Sequence, residues 1–400
     1  MRSFYLLFDV TRLASIKIAG KIPTGVDRVS LAYLQYYRQQ SRALVRHWQR
    51  WIMLNAGQSQ RLFSALLNEC PNPVAVIRHA VARGHLYLPQ AARHEILFNT
   101  GHSGLDKVNY ADQVRHYDLR PFYFLHDLIP INYPEYCRKG EAPLHHQRLL
   151  TMLQTGRGLI TNSADTARSL HNYVTTHHLT TPPVLVAPVG TATLPSPDPM
   201  PPSQAKERPY FVILGTIEPR KNHILLLQVW HRLVQTSLQA GLLEQEIPLL
   251  VIIGRRGWEC DHVFHQIERS PLLQGHILEP PQCDDAQLST WLSHARALLF
   301  PSFAEGFGMP IAEALTHGVP VIASDLPVFH EIAGEVPDYL DPLNGLVWLE
   351  MVKAYSQPDS LARAAQMARM TGFTAPVWSR HFSLVDDFLQ RLGQSVDHAA

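Results

Sequence analysis

Apolar residues in the second half of the chain come in short unbroken runs, with little alternation between apolar and polar positions. YFVILG (210–215), PLLVIIG (248–254), ALLFPS (297–302) and PVIAS (320–324) are such runs. Strands that are apolar throughout are covered on both faces, which predicts a parallel sheet sandwiched between helices. Between them, HILLLQVWHRLVQTSL (223–238), DAQLSTWLSHA (285–295) and MPIAEALTHG (309–318) have helical spacing, so the second half reads as a doubly wound α/β domain. In the first half, FYLLFDV (4–10), LYLP (86–89), EILFN (95–99), PFYFLHD (121–127) and GLITNS (158–163) predict strands, with helices near 26–40, 143–156 and 164–175. That pattern predicts a second α/β domain. The tail VWSRHFSLVDDFLQRL (377–392) has helical spacing and is expected to close back on the N-terminal domain.

One stretch supports two readings. Arg38, Arg42, Arg46 and Arg50 recur every four residues beside Tyr36, Tyr37, Trp48 and Trp51, which on a single long helix makes a basic, aromatic-flanked membrane face. ALVRHWQRWIML (43–54) also alternates well enough to be a strand.

Between Thr193 and Tyr210 the chain reads TLPSPDPMPPSQAKERPY, where repeated proline removes amide donors and fixes φ. The expected domains are therefore 1–194, a Pro-rich linker over 195–209, 210–375, and a C-terminal helix and tail over 376–400. Charge changes sign at the same place. Residues 1–195 carry 21 Lys and Arg against 11 Asp and Glu, or +10, and 196–400 carry 14 against 23, or −9, although the whole chain is only +1. With 400 residues, 46% hydrophobic and 17% charged, there is enough apolar material for two cores. Cys70, Cys137, Cys260 and Cys283 stand far apart with no CxxC pair, so no disulfide framework or cysteine zinc site is indicated, and a reducing cytoplasm is the expected compartment. The opening MRSFYLLFDV lacks a small-residue cleavage site and reads as a strand. No apolar run approaches the roughly 20 residues of a membrane span, so any membrane contact is expected to be peripheral.

The chemistry concentrates in two phrases. In PSFAEGFGMPIAEALTHG (301–318) a strand ends, glycines free the backbone, and Pro310 suits the first turn of a helix. Exposed N–H groups at such a helix start make an anion site. Glu305 and Glu313 flank it, yet a carboxylate about 4 Å from a phosphate costs on the order of 4 kcal/mol at an effective dielectric of 20. The glutamates are therefore expected to bind neutral hydroxyls: Glu305 those of a sugar, Glu313 those of a ribose. A nucleotide-diphosphate sugar meets all three demands. In YFVILGTIEPRKNH (210–223) a strand ends at Gly215, and the following loop delivers Arg220 and Lys221 to the carboxyl edge of the sheet, where paired cations stabilise a leaving diphosphate.

These phrases resemble the family-4 retaining glycosyltransferases of the GT-B fold, in which two Rossmann-like doubly wound domains face each other across a cleft. GTIEPRKN and the spaced glutamates carry the resemblance, supported by LVIIGRRGW and LPVFHEIAG over most of 210–345. In the first half, PTGVDRVSLAYL (23–34) is similar to the family's glycine loop, FLHDLIP (124–130) to its histidine loop, and LITNSADTARSL with VAPVG to its last elements before the linker. The glycine loop reads TGVDRV, with Gly25 and no second glycine. The histidine loop and EPRKN are most similar to bacterial polysaccharide members, several of them mannosyltransferases.

The resemblance implies that Arg220 and Lys221 neutralise the diphosphate, Glu305 holds sugar hydroxyls, Gly308 and Met309 offer backbone N–H groups, Glu313 binds ribose, Gly25 and Gly215 contact the donor, and His126 stands beside the donor sugar and the incoming acceptor. It implies a hexosyl transfer from a nucleotide sugar, GDP-mannose first and UDP-glucose second, to a glycan or lipid-linked acceptor. Same-face attack, no separate cofactor and no metal belong to that expectation, the chain having no D-x-D. The doublets His145–His146 and His177–His178 read as surface helix positions. The +10 half suits an anionic membrane surface. An epimerase or hydrolase on the same fold, or a non-catalytic glycan-binding subunit, remain alternatives. A dehydrogenase and a P-loop NTPase are disfavoured, because no G-x-G-x-x-G follows a strand and no P-loop lysine motif is present. No nucleic acid is expected as a partner.

Overall fold

A computed structural model of the chain describes residues 6–48, 50–84, 94–205, 208–281 and 283–394. It divides into two units, one of Met1–Ile131, Ala142–Val189 and Trp378–Ala400, the other of Asn132–Glu141 and Gly190–Val377. By sequence the first carries 21 Lys and Arg against 12 Asp and Glu, or +9, and the second 14 against 22, or −8.

In the first unit, the described strands are β1 (Leu6–Asp9), β2 (Ser41–His47), β3 (Arg50–Met53), β4 (Ile96–Asn99), β5 (Arg120–Leu125), β6 (Gly158–Thr161) and β7 (Val184–Val186), in the order β3-β2-β1-β4-β5-β6-β7. All pairs are parallel except β2 with β3, an antiparallel hairpin in which Leu44 faces Met53. The order reverses between β1 and β4, which is where open α/β sheets gather ligands. Leu7, Leu97, Tyr123 and Leu159 fill one face of this sheet together with Met152 and Tyr110. The helices follow local signals: Asn55 caps Ala56–Leu66 by accepting from the Gln58 N–H at 2.9 Å, and Ser163 caps Ala164–Thr176 through the Thr166 N–H at 3.0 Å.

The strand reading of 43–54 holds, and the long basic helix does not form. Arg46 on β2 is ion-paired with Asp9 at 2.8 Å and Arg42 with Glu95 at 2.6 Å, so these two arginines tie the sheet edge together. The predicted strand LYLP lies outside the described residues. Helix Trp378–Gln394 belongs to the first unit, where the Tyr36 and Tyr37 hydroxyls both donate to Asp386, at 2.8 and 2.7 Å.

In the second unit, β8 (Tyr210–Leu214), β9 (Leu249–Ile253), β10 (Ile277–Leu278), β11 (Leu298–Phe300), β12 (Val321–Ser324) and β13 (Asp338–Leu340) form an all-parallel sheet in the order β10-β9-β8-β11-β12-β13. Every residue of β8, β9, β11 and β12 is buried, which is why these runs contain no polar alternation. Phe211, Ile252, Leu299, Trp230 and Trp348 share its core, and each large apolar side chain so buried contributes about 1.5–3 kcal/mol. The Pro-rich stretch groups with this unit. The Asp198 N–H donates to Thr290 Oγ1 at 3.0 Å, and the Pro195 carbonyl accepts from Ser289 Oγ at 2.6 Å. Residues 132–141, expected within 1–194, also group with the second unit.

Candidate active site

The carboxyl ends of β8 and β11 bring the two motif phrases together. Gly215 follows β8 with φ +125°, a conformation that suits glycine, and a Cβ there would stand 3.4 Å from Lys221 Cε. A 3₁₀ turn over Pro219–Lys221 follows, and Asn222, left-handed at φ +55°, starts the helix His223–Gln239. The Arg220 carbonyl accepts the Phe303 N–H at 2.8 Å, pinning this turn to the loop after β11.

Glu305 stands between the two cations. Its Oε2 lies 2.7 Å from Arg220 Nη1, its Oε1 pairs with Lys221 Nζ, and Ser302 Oγ donates to Oε1 at 2.9 Å. Arg220 also pairs through Nε with Glu218 at 2.6 Å and donates to the Ala304 carbonyl at 3.0 Å. Lys221 Nζ rests 4.4 Å from the centre of the Phe300 ring. Side-chain exposure is 8% for Glu305 and 9% for Lys221, so this is a buried charge cluster. Burial pushes the Glu305 carboxyl up, but Arg220 and Lys221 outweigh it and hold the group down at about 2. Burial, with Arg220 alongside, pulls Lys221 below its ordinary value against the opposing pull of Glu305.

Glu305, expected to hold sugar hydroxyls, is paired with both cations in this structure. Lys221 is buried and Arg220 partly so, two cations that would be costly uncompensated, and the Glu305 and Glu218 carboxylates balance them. Glu313 behaves differently. It lies inside the helix Met309–Thr316 and is 4% exposed. That helix starts at Gly308, whose φ of +103° and tight approach to Phe329, 2.9 Å from a built Cβ, exclude other residues; the Met309 N–H opens the first turn, where a helix supplies no acceptor of its own.

Gly25 and His126 belong to the first unit, and the other predicted site residues to the second. Gly25 opens the helix Gly25–Tyr37, whose Asp27 accepts from the Thr24 N–H at 2.8 Å and pairs with Arg12 at 2.7 Å. His126 follows β5; its Nε2 donates to the Thr100 carbonyl at 2.7 Å, and its own carbonyl accepts from Asn162 Nδ2 at 2.9 Å. Burial lowers it to about 4. His145 is buried, contrary to the surface reading of its doublet, and its Nε2 donates to the Asp127 carbonyl at 3.0 Å.

Some neighbours escaped the sequence reading. Glu218 was in plain view inside EPRKN. Tyr136 was not: its ring stacks on Phe303 with centroids 5.2 Å apart and planes 11° apart, while Arg138 lies 4.3 Å from the centre of the Trp258 ring and the Lys139 N–H donates to Glu259 at 3.2 Å. Tyr136 thus clamps the loop that carries Glu305, and Arg138 and Lys139 hold the loop after β9. Nothing in NYPEYCRKGE signals that partner, which is far away in sequence.

Two doubly wound parallel-sheet units, the second with a buried Arg-Lys-Glu cluster at its carboxyl edge, define a GT-B architecture. The solved structures agree on the fold: HepE of Anabaena in complex with UDP and glucose superposes with a TM-score of 0.62 at 15% identity, covering 98% of this chain and 99% of that one. A UDP-forming α,α-trehalose-phosphate synthase from Burkholderia vietnamiensis superposes with a TM-score of 0.61 at 10% identity, covering 100% and 99%. Residues 199–346 match the family model for glycosyl transferases group 1. The chain is 27% identical over 249 residues to the serotype-specific mannosyltransferase WbdA of Escherichia coli, a stretch that takes in 59% of this chain and 30% of that protein. It is 36% identical over 134 residues to the O-antigen chain mannosyltransferase B of Escherichia coli, or 33% of each. The chain thus spans about a third of the length of these curated relatives. The resemblance to bacterial polysaccharide mannosyltransferases of the GT-B fold is borne out by these matches.

Proposed function

We propose that the chain is a retaining, metal-independent glycosyltransferase that moves a hexosyl unit from a nucleotide sugar to a glycan or lipid-linked acceptor in bacterial surface polysaccharide synthesis. The second unit holds the donor and the first the acceptor. The observation that carries this reading is the Arg220-Lys221-Glu305 cluster, which sets two cations at the carboxyl edge of an α/β sheet, the place where such folds take a phosphorylated ligand.

When the anomeric carbon–oxygen bond breaks, negative charge collects on the departing diphosphate. Arg220 and Lys221 stabilise that charge more than the ground state, and preorganised cations in a buried site do so without reorganisation. Backbone N–H groups at Gly308 and Met309 add to it. The acceptor oxygen forms its bond on the face the diphosphate leaves, and the acceptor proton passes to the leaving oxygen. Once the diphosphate takes both cations, Glu305 is released to the sugar hydroxyls. Glu313 binds the ribose and Gly215 gives the donor room; Gly25 and His126 are the candidate site residues of the first unit.

GDP-mannose is the first donor and UDP-glucose the second; the names of the bacterial relatives favour mannose, and the UDP-bound Anabaena neighbour favours uridine. Thermal-shift titration with GDP, UDP, dTDP and ADP tests the donor site. One nucleotide is expected to raise the melting temperature well above the others, and no response to any of the four would contradict the reading.

The +9 first unit also supports peripheral contact with an anionic membrane from the cytoplasmic side. Among the described residues no helix is long and apolar enough to cross a membrane. Salt-sensitive binding to anionic vesicles is expected, and equal binding to neutral vesicles would count against it.

A further inference from the structure

The carboxyl edge of the first sheet holds imidazoles for which the proposed donor chemistry gives no role beyond His126. Thr100 to His102 follow β4, His126 follows β5, and these two strands are parallel neighbours. β4 also flanks the strand-order reversal, where open α/β sheets take their ligands. His102 Nε2 lies 2.7 Å from the Phe124 carbonyl oxygen, just as His126 Nε2 lies 2.7 Å from that of Thr100. Each ring therefore reaches across to the other strand's end.

A carbonyl oxygen only accepts, so both Nε2 atoms carry the proton and both Nδ1 atoms present a lone pair. Among the described residues, the buried polar atoms that lack a partner include neither of these Nδ1 atoms, the hydrogen bonds of both rings run through Nε2, and His102 is partly exposed while His126 is 6% exposed. The ring centres are 5.1 Å apart, and His145 backs His102 at 5.6 Å. His102 holds φ +58°, a conformation that non-glycine residues seldom adopt and that tends to concentrate at functional sites. Burial keeps both rings uncharged at neutral pH, with His126 at about 4 and His102 well below its ordinary value.

We infer that Nδ1 of His102 and Nδ1 of His126 together form a hydroxyl-binding subsite for the acceptor sugar, with His102 a binding residue in addition to His126. An uncharged imidazole lone pair accepts an O–H from a sugar and has nothing to donate to a phosphate. The subsite rests on the glycosyl-transfer reading above, and its test is separable from that reading.

In a chain labelled with 15N-histidine, long-range proton–nitrogen spectra are expected to place both Nδ1 atoms in the unprotonated range. Saturating methyl α-mannopyranoside should then move both Nδ1 resonances and leave Nε2 unmoved. His102→Phe should raise the dissociation constant of that sugar about tenfold, the weight of one hydrogen bond, and His102→Gln, whose carbonyl also accepts, should recover most of the loss. A protonated Nδ1, resonances unmoved by the sugar, or equal sugar affinity in His102→Phe and the parent would overturn the subsite. Nucleoside diphosphate binding is read on the same samples. It should match the parent in both variants, and its absence from the parent itself would sink the donor reading alone.

Discussion

The loops after β8 and β11 bury a carboxylate between two cations, whereas the loops after β4 and β5 bury imidazoles that carry no charge. Both sets sit at the carboxyl edge of a parallel sheet, so backbone architecture does not distinguish them. The chemistry does. In the second unit Lys221 and Glu305 are each less than a tenth exposed, and neither charge is tolerable there without the other or a replacement anion. In the first, His126 donates to a backbone carbonyl and stays uncharged down to about pH 4, which suits a partner made of hydroxyls. On the proposed function, the difference teaches how one fold, used twice, can assign a charged substrate to one unit and a neutral one to the other.

The strongest way to break this comparison is to remove a cation. Lys221→Met keeps bulk against Phe300 and deletes the charge; it is expected to lower kcat/KM by roughly 10²–10³, the range for one lost charge-stabilising donor, with near-normal rates rejecting the site.

Acid titration should give a graded effect on stability. His126 and His381 are lowered by burial to about 4, and His223 to about 3, against an ordinary 6.5. The unfolded chain therefore binds more protons below pH 6.5. The stability these neutral rings contribute is complete above pH 6.5 and is lost as pH falls toward 4, at up to about 1.4 kcal/mol per pH unit for each ring. Glu305 adds its own loss only below its ordinary 4.5, on the way to about 2. Melting temperatures between pH 7 and 4 check the sign; a chain most stable at pH 4 would contradict it.

Smaller still is the clamp. Tyr136→Ala removes a ring stack worth about 0.5–1.5 kcal/mol and should raise the donor KM about two- to tenfold with little change in kcat; Tyr136→Phe, which keeps the stack, should be near normal.

Much of this was legible where the relevant residues are neighbours in sequence. The apolar runs of β8, β9, β11 and β12 announced a covered parallel sheet, and EPRKN with the spaced glutamates announced the two loops that carry the charge cluster. Legibility failed where contacts are long-range. Lys221 and Glu305 are 84 residues apart, so no local pattern could reveal that one neutralises the other. The stretch 43–54 was ambiguous for a geometric reason. A spacing of four returns to the same face in a helix and in a strand alike, so the arginine repeat could not choose between them. The two-residue β10 and three-residue β13 are too short to carry any period. His102 offered nothing beyond a histidine in a glycine-rich turn.

The central claim is that Glu305 occupies, electrostatically, the place of a diphosphate. Calorimetric titration of the preferred nucleoside diphosphate into the parent chain and into Glu305→Gln tests it most directly, since that ligand has no sugar for Glu305 to hold. Removing the competing carboxylate should tighten binding about tenfold, roughly 1.4 kcal/mol. Unchanged or weaker binding in Glu305→Gln would contradict the account.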